Sequence, residues 1–150
     1  MPLYPSARDL IRVQVERLAR GERVSIISIG FLTNEQHETL NRAKTELGLP
    51  PLEIPELLYI GRHQYESRVV KDGYAFDDLY RQLEAALSAT SIVSTNERST
   101  TVVSQVLRDD GYGNRVRDVA VLELASRKPR AEVYSTIPKN DGGGPKRKAP

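Results

Sequence analysis

The sequence predicts a single α+β domain, with two N-terminal helices, a strand–helix unit and an antiparallel meander of about four strands. Three observations predict it. Apolar residues recur at helical spacing in two segments before residue 50. β-rich runs dominate the chain after residue 90. Those runs are separated by short turn-forming stretches, which favour antiparallel pairing over a parallel sheet. At 150 residues the chain is long enough for one domain with its own core. Residues 1–138 are expected to form that domain, helical in 1–50, with the sheet and the candidate site in 53–138.

Ser6 is placed to cap a first helix that carries Leu10, Ile11, Val13 and Leu18 and ends at Gly21. Val24 to Gly30 is β-rich but short, and reads either as a strand or as a buried linker. Thr33-Asn34-Glu35-Gln36 matches a capping box. The helix it opens runs from about Asn34 to Leu47 and is closed by Gly48 and Pro50-Pro51. Glu56 to Ile60 reads as a strand entering Gly61. After Gly73 a helix is expected from Phe76 to Ser88, with Leu79, Leu83, Ala86 and Leu87 on one face. Ser91–Thr95, Thr100–Val106, Val116–Ser126 and Ala131–Ile137 are the meander strands. Asp109 to Asn114 forms a loop and Lys128-Pro129-Arg130 a tight connection. In the third of these strands Ala120, Leu122 and Leu124 alternate with Val119, Val121 and Ala125, so it is expected to be central and covered on both faces. Residues 139–150 are rich in glycine, proline and basic side chains and read as a disordered basic tail.

Composition narrows the chemistry. Without cysteine there is no disulfide, thiolate or cysteine-based zinc site. His37 and His63 lack metal-ligand spacing, so no metal and no cofactor is expected. The net charge of +2 is local: Lys139, Lys146, Arg147 and Lys148 against Asp141 give the tail +3, which leaves the body at −1. A broadly basic nucleic-acid face is therefore excluded, and RNA contact would need a local cluster. No apolar run is long enough to span a bilayer. Met1-Pro2-Leu3-Tyr4-Pro5 lacks the basic and apolar regions of a signal peptide, so a cytoplasmic protein is expected.

The densest chemistry lies in Gly61-Arg62-His63-Gln64-Tyr65-Glu66-Ser67-Arg68. His63 is the natural acid or base near neutrality. Arg62 and Arg68 can grip phosphate oxygens and stabilise developing negative charge. Gly61 permits close approach of a ligand. The same residues also read as an ordinary strand end, with His63 as a cap and the arginines paired to Glu66 and Asp72. Asn96 to Thr101 places Arg98 and several hydroxyls, Thr100 among them, at the start of a strand, as a phosphate grip or a polar turn. Gly111-Tyr112-Gly113-Asn114 either exposes Tyr112 for stacking on a base or makes the turn. Tyr134 either stacks or packs. His37, on a capped amphipathic helix, reads as a solvated surface residue.

The order of N-terminal helices, a strand ending in a histidine motif, a helix and antiparallel strands resembles the barnase–EndoU–colicin–RelE group of endoribonucleases. In phage-borne and polymorphic-toxin branches of that group a strand-end histidine is followed four residues later by another polar or basic residue, as His63 is by Ser67. The piece Asp110-Gly111-Tyr112-Gly113-Asn114 with Val116-Arg117-Asp118 also resembles short proteins of proteobacterial prophage regions. The similarity covers about residues 53–138. It implies metal-independent RNA cleavage, in which a ribose 2′-hydroxyl attacks the adjacent phosphorus and leaves a 2′,3′-cyclic phosphate. His63 would be the base or the acid, and Arg62, Arg68 and Arg98 would stabilise the phosphorane-like charge. Ser67 or Thr100 would position a phosphate oxygen, with Tyr112 and Tyr134 as further RNA contacts. The chain departs from two-histidine members, since Ser67 stands where a second histidine would, so Glu66, Tyr65 or Tyr112 would act as partner. The expected partners are RNA and a protein such as an inhibitor or host target, with no membrane. The alternative is a noncatalytic phage or prophage accessory protein that binds a host protein or nucleic acid.

Overall fold

The computed structural model describes residues 2–95, 100–123 and 130–140. Residues 96–99, which belong to the cluster read as a phosphate grip or a polar turn, the segment 124–129 and most of the basic tail lie outside these, and with them Arg98, Leu124 and Ala125. The coarse class holds: helices pack on a sheet in an α+β arrangement.

Helix α1 (Ala7–Ala19) buries Ala7, Ile11, Val15 and Leu18, and Gly21 at φ 73 turns the chain out of it. Ser6 precedes α1 but makes no side-chain cap bond, because its own backbone is already helical. Gln14 is buried on α1 and donates to the carbonyls of Ser25 (2.7 Å) and Ile60 (3.1 Å), which ties the helix to the residue before Gly61. Strand β1 (Ile27–Phe31) resolves the open reading of Val24–Gly30: only its second half is strand. Helix α2 (Asn34–Glu46) carries the expected capping box, with Gln36 N–H on Thr33 Oγ1 at 3.1 Å and Thr33 N–H on Gln36 Oε1 at 3.0 Å. His37 is not a solvated surface residue. It is half-buried, and its Nε2 lies 2.8 Å from the Leu52 carbonyl, where it and Asn41 pin the segment after Pro50-Pro51.

Strand β2 (Glu56–Tyr59) leads through Gly61 into α3 (Arg62–Gln64), which continues without a break as a π-helix over Tyr65–Lys71. The Gly61–Arg68 motif is thus helical beyond its glycine. Helix α4 (Phe76–Ala86) follows, and the Asp78 carboxylate accepts the Ala75 N–H at its start. Arg8 of α1 reaches across to α4, paired with Asp77 and lying over the rings of Phe76 and Tyr80. Then come β3 (Ile92–Thr95), β4 (Thr100–Val103), β5 (Arg108–Asp109), β6 (Arg115–Leu122) and β7 (Ala131–Asn140). No described helix is long and apolar enough to cross a membrane.

Among the described residues the strands form one seven-stranded sheet in the order β1-β2-β7-β6-β4-β3, with β5 beside β6. The antiparallel meander is its β3-β4-β6-β7 part. The arrangement differs from the expected one because β2 inserts parallel to β7, which makes the sheet mixed. A parallel pair needs a long crossover, and everything from α3 to β6 supplies it. Strand β7 also runs to Asn140, so Lys139 and Asn140 belong to the sheet and not to the tail.

Leu57, Tyr59, Val93, Val102, Ala120, Leu122, Ala131 and Val133 share a core cluster with Ile11, Leu40, Leu79 and Leu83 of the helices. That makes two layers with one apolar interior. The expectation of two covered faces for the central strand holds in part: β6 is central, and on its other face Val119 is buried while Val121 is only half-buried.

Gly61 has φ 85, and a Cβ there would meet the Tyr59 ring at 2.5 Å. The space that the glycine leaves is filled by Tyr59, not kept for a ligand. Gly61→Ala combines left-handed backbone strain with overpacking and is expected to lower stability by at least ~2 kcal/mol. Thermal melting followed by circular dichroism checks this; an unchanged Tm would contradict the packing described.

Candidate active site

The site is built where α3 crosses β7. In the pairing of β6 with β7, Val121 faces Ser135 and Leu122 faces Val133, so Tyr134 is an extra residue in β7. Such a bulge interrupts the alternation of side chains and re-aims one of them. Here it lets Val133 and Thr136 both face the interior and turns Tyr134 out, half-exposed, beside α3. The His63 imidazole stacks on the Tyr134 ring, with centroids 4.3 Å apart and an interplanar angle of 18°.

Gln64 fixes the helix that carries His63. Its side chain is fully buried, and its Oε1 accepts the Tyr59 hydroxyl at 2.5 Å while its Nε2 donates to Thr136 Oγ1. Thr136 passes the chain on to Gln82 Oε1 of α4 at 2.9 Å. These four side chains join β2, α3, β7 and α4 inside the core. Burial raises the pKa of the Tyr59 phenol well above its ordinary value, which keeps it a donor. Gln82 Nε2 is buried without a hydrogen-bond partner among the described residues.

Around the stacked rings lies an open groove of about 290 Å³, lined by Gly61, Arg62, His63, Glu66, Glu132 and Tyr134, among others. Ser67 Oγ lies 3.3 Å from His63 Nε2, as the spacing of four on one helix allows. The groove therefore gathers an imidazole, a guanidinium, two carboxylates and a phenol, with a hydroxyl against the imidazole. Those groups can move a proton and hold an anionic oxygen. Among the described residues no group of three or more His, Cys, Asp or Glu is arranged to hold a metal ion.

Of the expected catalytic residues, His63, Ser67 and Arg62 come together and Tyr134 joins them. Arg68 does not. It pairs with Asp72 at 2.7 Å and lines a separate hollow near Asp110 and Asn114. The pairing of Arg68 with Asp72 is the ordinary strand-end reading of that arginine. Thr100 is fully buried in β4, its hydroxyl enclosed by protein, so its side chain presents nothing to a ligand. Tyr112 is half-exposed on the turn between β5 and β6, which the Asp110 carboxylate closes by accepting the N–H groups of Tyr112 and Asn114. Tyr65 packs against the core and does not line the groove. Arg98 lies outside the described residues.

Sequence reasoning missed Gln64, Gln82, Thr136 and Glu132. The readable signal was Gln82, a polar side chain set between Leu79 and Leu83 on the apolar face of α4. Compared with models of protein families, with curated proteins and with solved structures, the chain matches none significantly.

A stacked aromatic partner shields ring protons. Tyr134→Leu is expected to move the His63 Cε1–H proton resonance downfield by a few tenths of a ppm with the fold intact. One-dimensional proton spectra in heavy water check this; an unmoved resonance would show that the two rings are not stacked in solution.

Proposed function

We propose that the protein is a metal-independent endoribonuclease that works in the groove between α3 and β7. The observation that carries this reading is the His63 imidazole held between Ser67 and the half-exposed Tyr134 ring, with Glu66 and Arg62 on the same rim. Ribose 2′-hydroxyl attack needs a base for that hydroxyl and an acid for the departing 5′-oxygen, and a carboxylate with an imidazole supplies both. Glu66 takes the 2′-proton and the 2′-oxygen bonds to phosphorus. The bond from phosphorus to the 5′-oxygen breaks, and protonated His63 gives its proton to that oxygen. The products are a 2′,3′-cyclic phosphate and a 5′-hydroxyl. Arg62 faces the nonbridging oxygens, where charge builds up. Ser67 orients the imidazole, and Tyr134 offers a surface on which an unpaired base can stack.

This division of labour answers the missing second histidine, since Glu66 stands in the groove while Tyr65 and Tyr112 do not line it. The resemblance to the barnase–EndoU–colicin–RelE group supports the same chemistry.

A second reading has one observation in its favour. Arg62 shares the groove with Glu66 and Glu132, so the lining carries no net positive charge at a site where RNA affinity is normally electrostatic. A noncatalytic accessory protein that binds a host protein would fit that balance.

Incubating the purified protein with end-labelled RNA in EDTA separates the two. Cleavage is expected, and His63→Ala should slow it by roughly 10²–10⁴-fold with an unchanged circular dichroism spectrum. Cleavage that survives His63→Ala, or none from the folded wild type on any RNA, would overturn the enzymatic reading.

A further inference from the structure

The described helices pack on one face of the sheet. Ala120 and Leu122 of β6 point into the core with Ile11, Leu40 and Leu79, and Gln64 of α3 reaches Thr136 on that same side. Side chains alternate along a strand, so Val119 and Val121 project to the opposite face. The register carries them into rows that cross four strands. Ile92 lies opposite Val103, Val103 opposite Val119, and Val119 opposite Ile137. The next row is Ser94, Thr101, Val121 and Ser135. Val119, within its row, is buried, whereas Val103, Val121 and Ile137 are half-buried and Ile92 is 56% exposed. An antiparallel sheet with one wet face normally sets polar side chains there, and these branched apolar ones call for cover.

Charge on this face is sorted along the strands. Arg117 lies opposite Lys139 in the row on one side of the apolar one, two like charges abreast. Arg115, one row further out, is faced by Asp109. At the other end Glu123 is exposed, and its N–H bonds to the carbonyl of Glu132 at 3.3 Å, which sets the two residues side by side. Glu132, which also borders the groove, stands between the core residues Ala131 and Val133, so alternation puts it on this face too. Arg130 at that end is paired with Glu56 at 2.8 Å. The face thus runs from a basic end, through apolar and hydroxyl rows, to an acidic end.

We propose that this face packs against the same face of a second copy of the chain, related by a two-fold axis that crosses the strands. Such an axis reverses the strands of the second copy and lays β6 over β6. It sets the basic end of each copy, Arg117 and Lys139, over the acidic end of the other, Glu123 and Glu132. The contact is isologous and closed, so it stops at a dimer. The apolar rows then meet as the inner layers of a sandwich, with the sheets about 10 Å apart. A two-fold axis along the strands would instead bring like ends together, so the charge pattern selects the crossing one. The proposal is independent of the reaction assigned to the groove.

Sedimentation velocity of the whole chain over a range of concentrations is expected to show a monomer–dimer equilibrium that moves toward monomer as salt screens the paired ends. Glu123→Lys and Lys139→Glu, both at exposed positions, should each weaken the dimer by roughly tenfold or more. The double variant rebalances each meeting of ends and should recover most of that loss. In ¹H–¹⁵N spectra of the wild type, dilution should move the amides of Val103, Val121 and Ile137 and leave those of α1 in place, a readout that needs no variant to fold. A chain that stays monomeric at the concentration of those spectra, a dimer indifferent to both single variants, a double variant no better than the singles, or dilution shifts confined to other surfaces would each overturn the proposal.

Discussion

The buried chain of hydrogen bonds from Tyr59 through Gln64 and Thr136 to Gln82 is the constraint on which the candidate site depends. Even with its π-helical continuation to Lys71, α3 is too short to hold its own geometry in water, where isolated helices below about 12–15 residues are marginal. Gln64 fastens it from inside. Successive side chains on a helix project about 100° apart, so an inward Gln64 sets His63 sideways, over β7 and onto Tyr134. Each bond contributes only about 1 kcal/mol net, but removing one partner leaves a buried polar atom stranded at ~1–3 kcal/mol. The network therefore fixes position more than it adds stability. Its members come from β2, α3, β7 and α4, so loosening any of these elements moves the imidazole.

Two irregularities in the backbone complete the placement. The left-handed Gly61 lets the chain leave β2 and start α3 at once, under cover of the Tyr59 ring. The extra residue in β7 frees Tyr134 from the ladder so that its ring can stand beside the helix. At the hairpin of β5 and β6, Arg108 holds Asp118 through two 2.8 Å bonds, and the nearly buried carboxylate is fully paired. Breaking one partner of such a pair costs about 3–5 kcal/mol. That pair ties β5 to β6.

Local signals were legible in the sequence, and long-range pairings were not. Thr33 and Gln36 formed the capping box that their spacing announces, Gly21 and Gly48 turned the chain out of their helices, and the strands after residue 90 paired as a meander. Each of these depends on neighbours a few residues away. Insertion of β2 beside β7 depends on residues more than 70 positions apart, and no periodicity records it. A bulge is equally silent, because one extra residue leaves the composition of β7 unchanged. Gln64 and Gln82 went unmarked because polarity normally means exposure, and His37 was expected on the surface for the same reason. Of the motif at Gly61–Arg68, Arg62, His63 and Ser67 lie together. Helical geometry then sent its second arginine to Asp72, out of the groove.

The reading of the groove as a ribonuclease site makes one chemical commitment above the rest: the nucleophile is the substrate's own 2′-hydroxyl. Product ends and a single 2′-deoxy substitution test this together. On an oligonucleotide cut at one position, ³¹P spectra of the product are expected to show a 2′,3′-cyclic phosphate, and a 2′-deoxyribose on the 5′ side of that bond should abolish cleavage there. Products with 3′-hydroxyl and 5′-phosphate ends, or undiminished cleavage at the deoxy position, would contradict it.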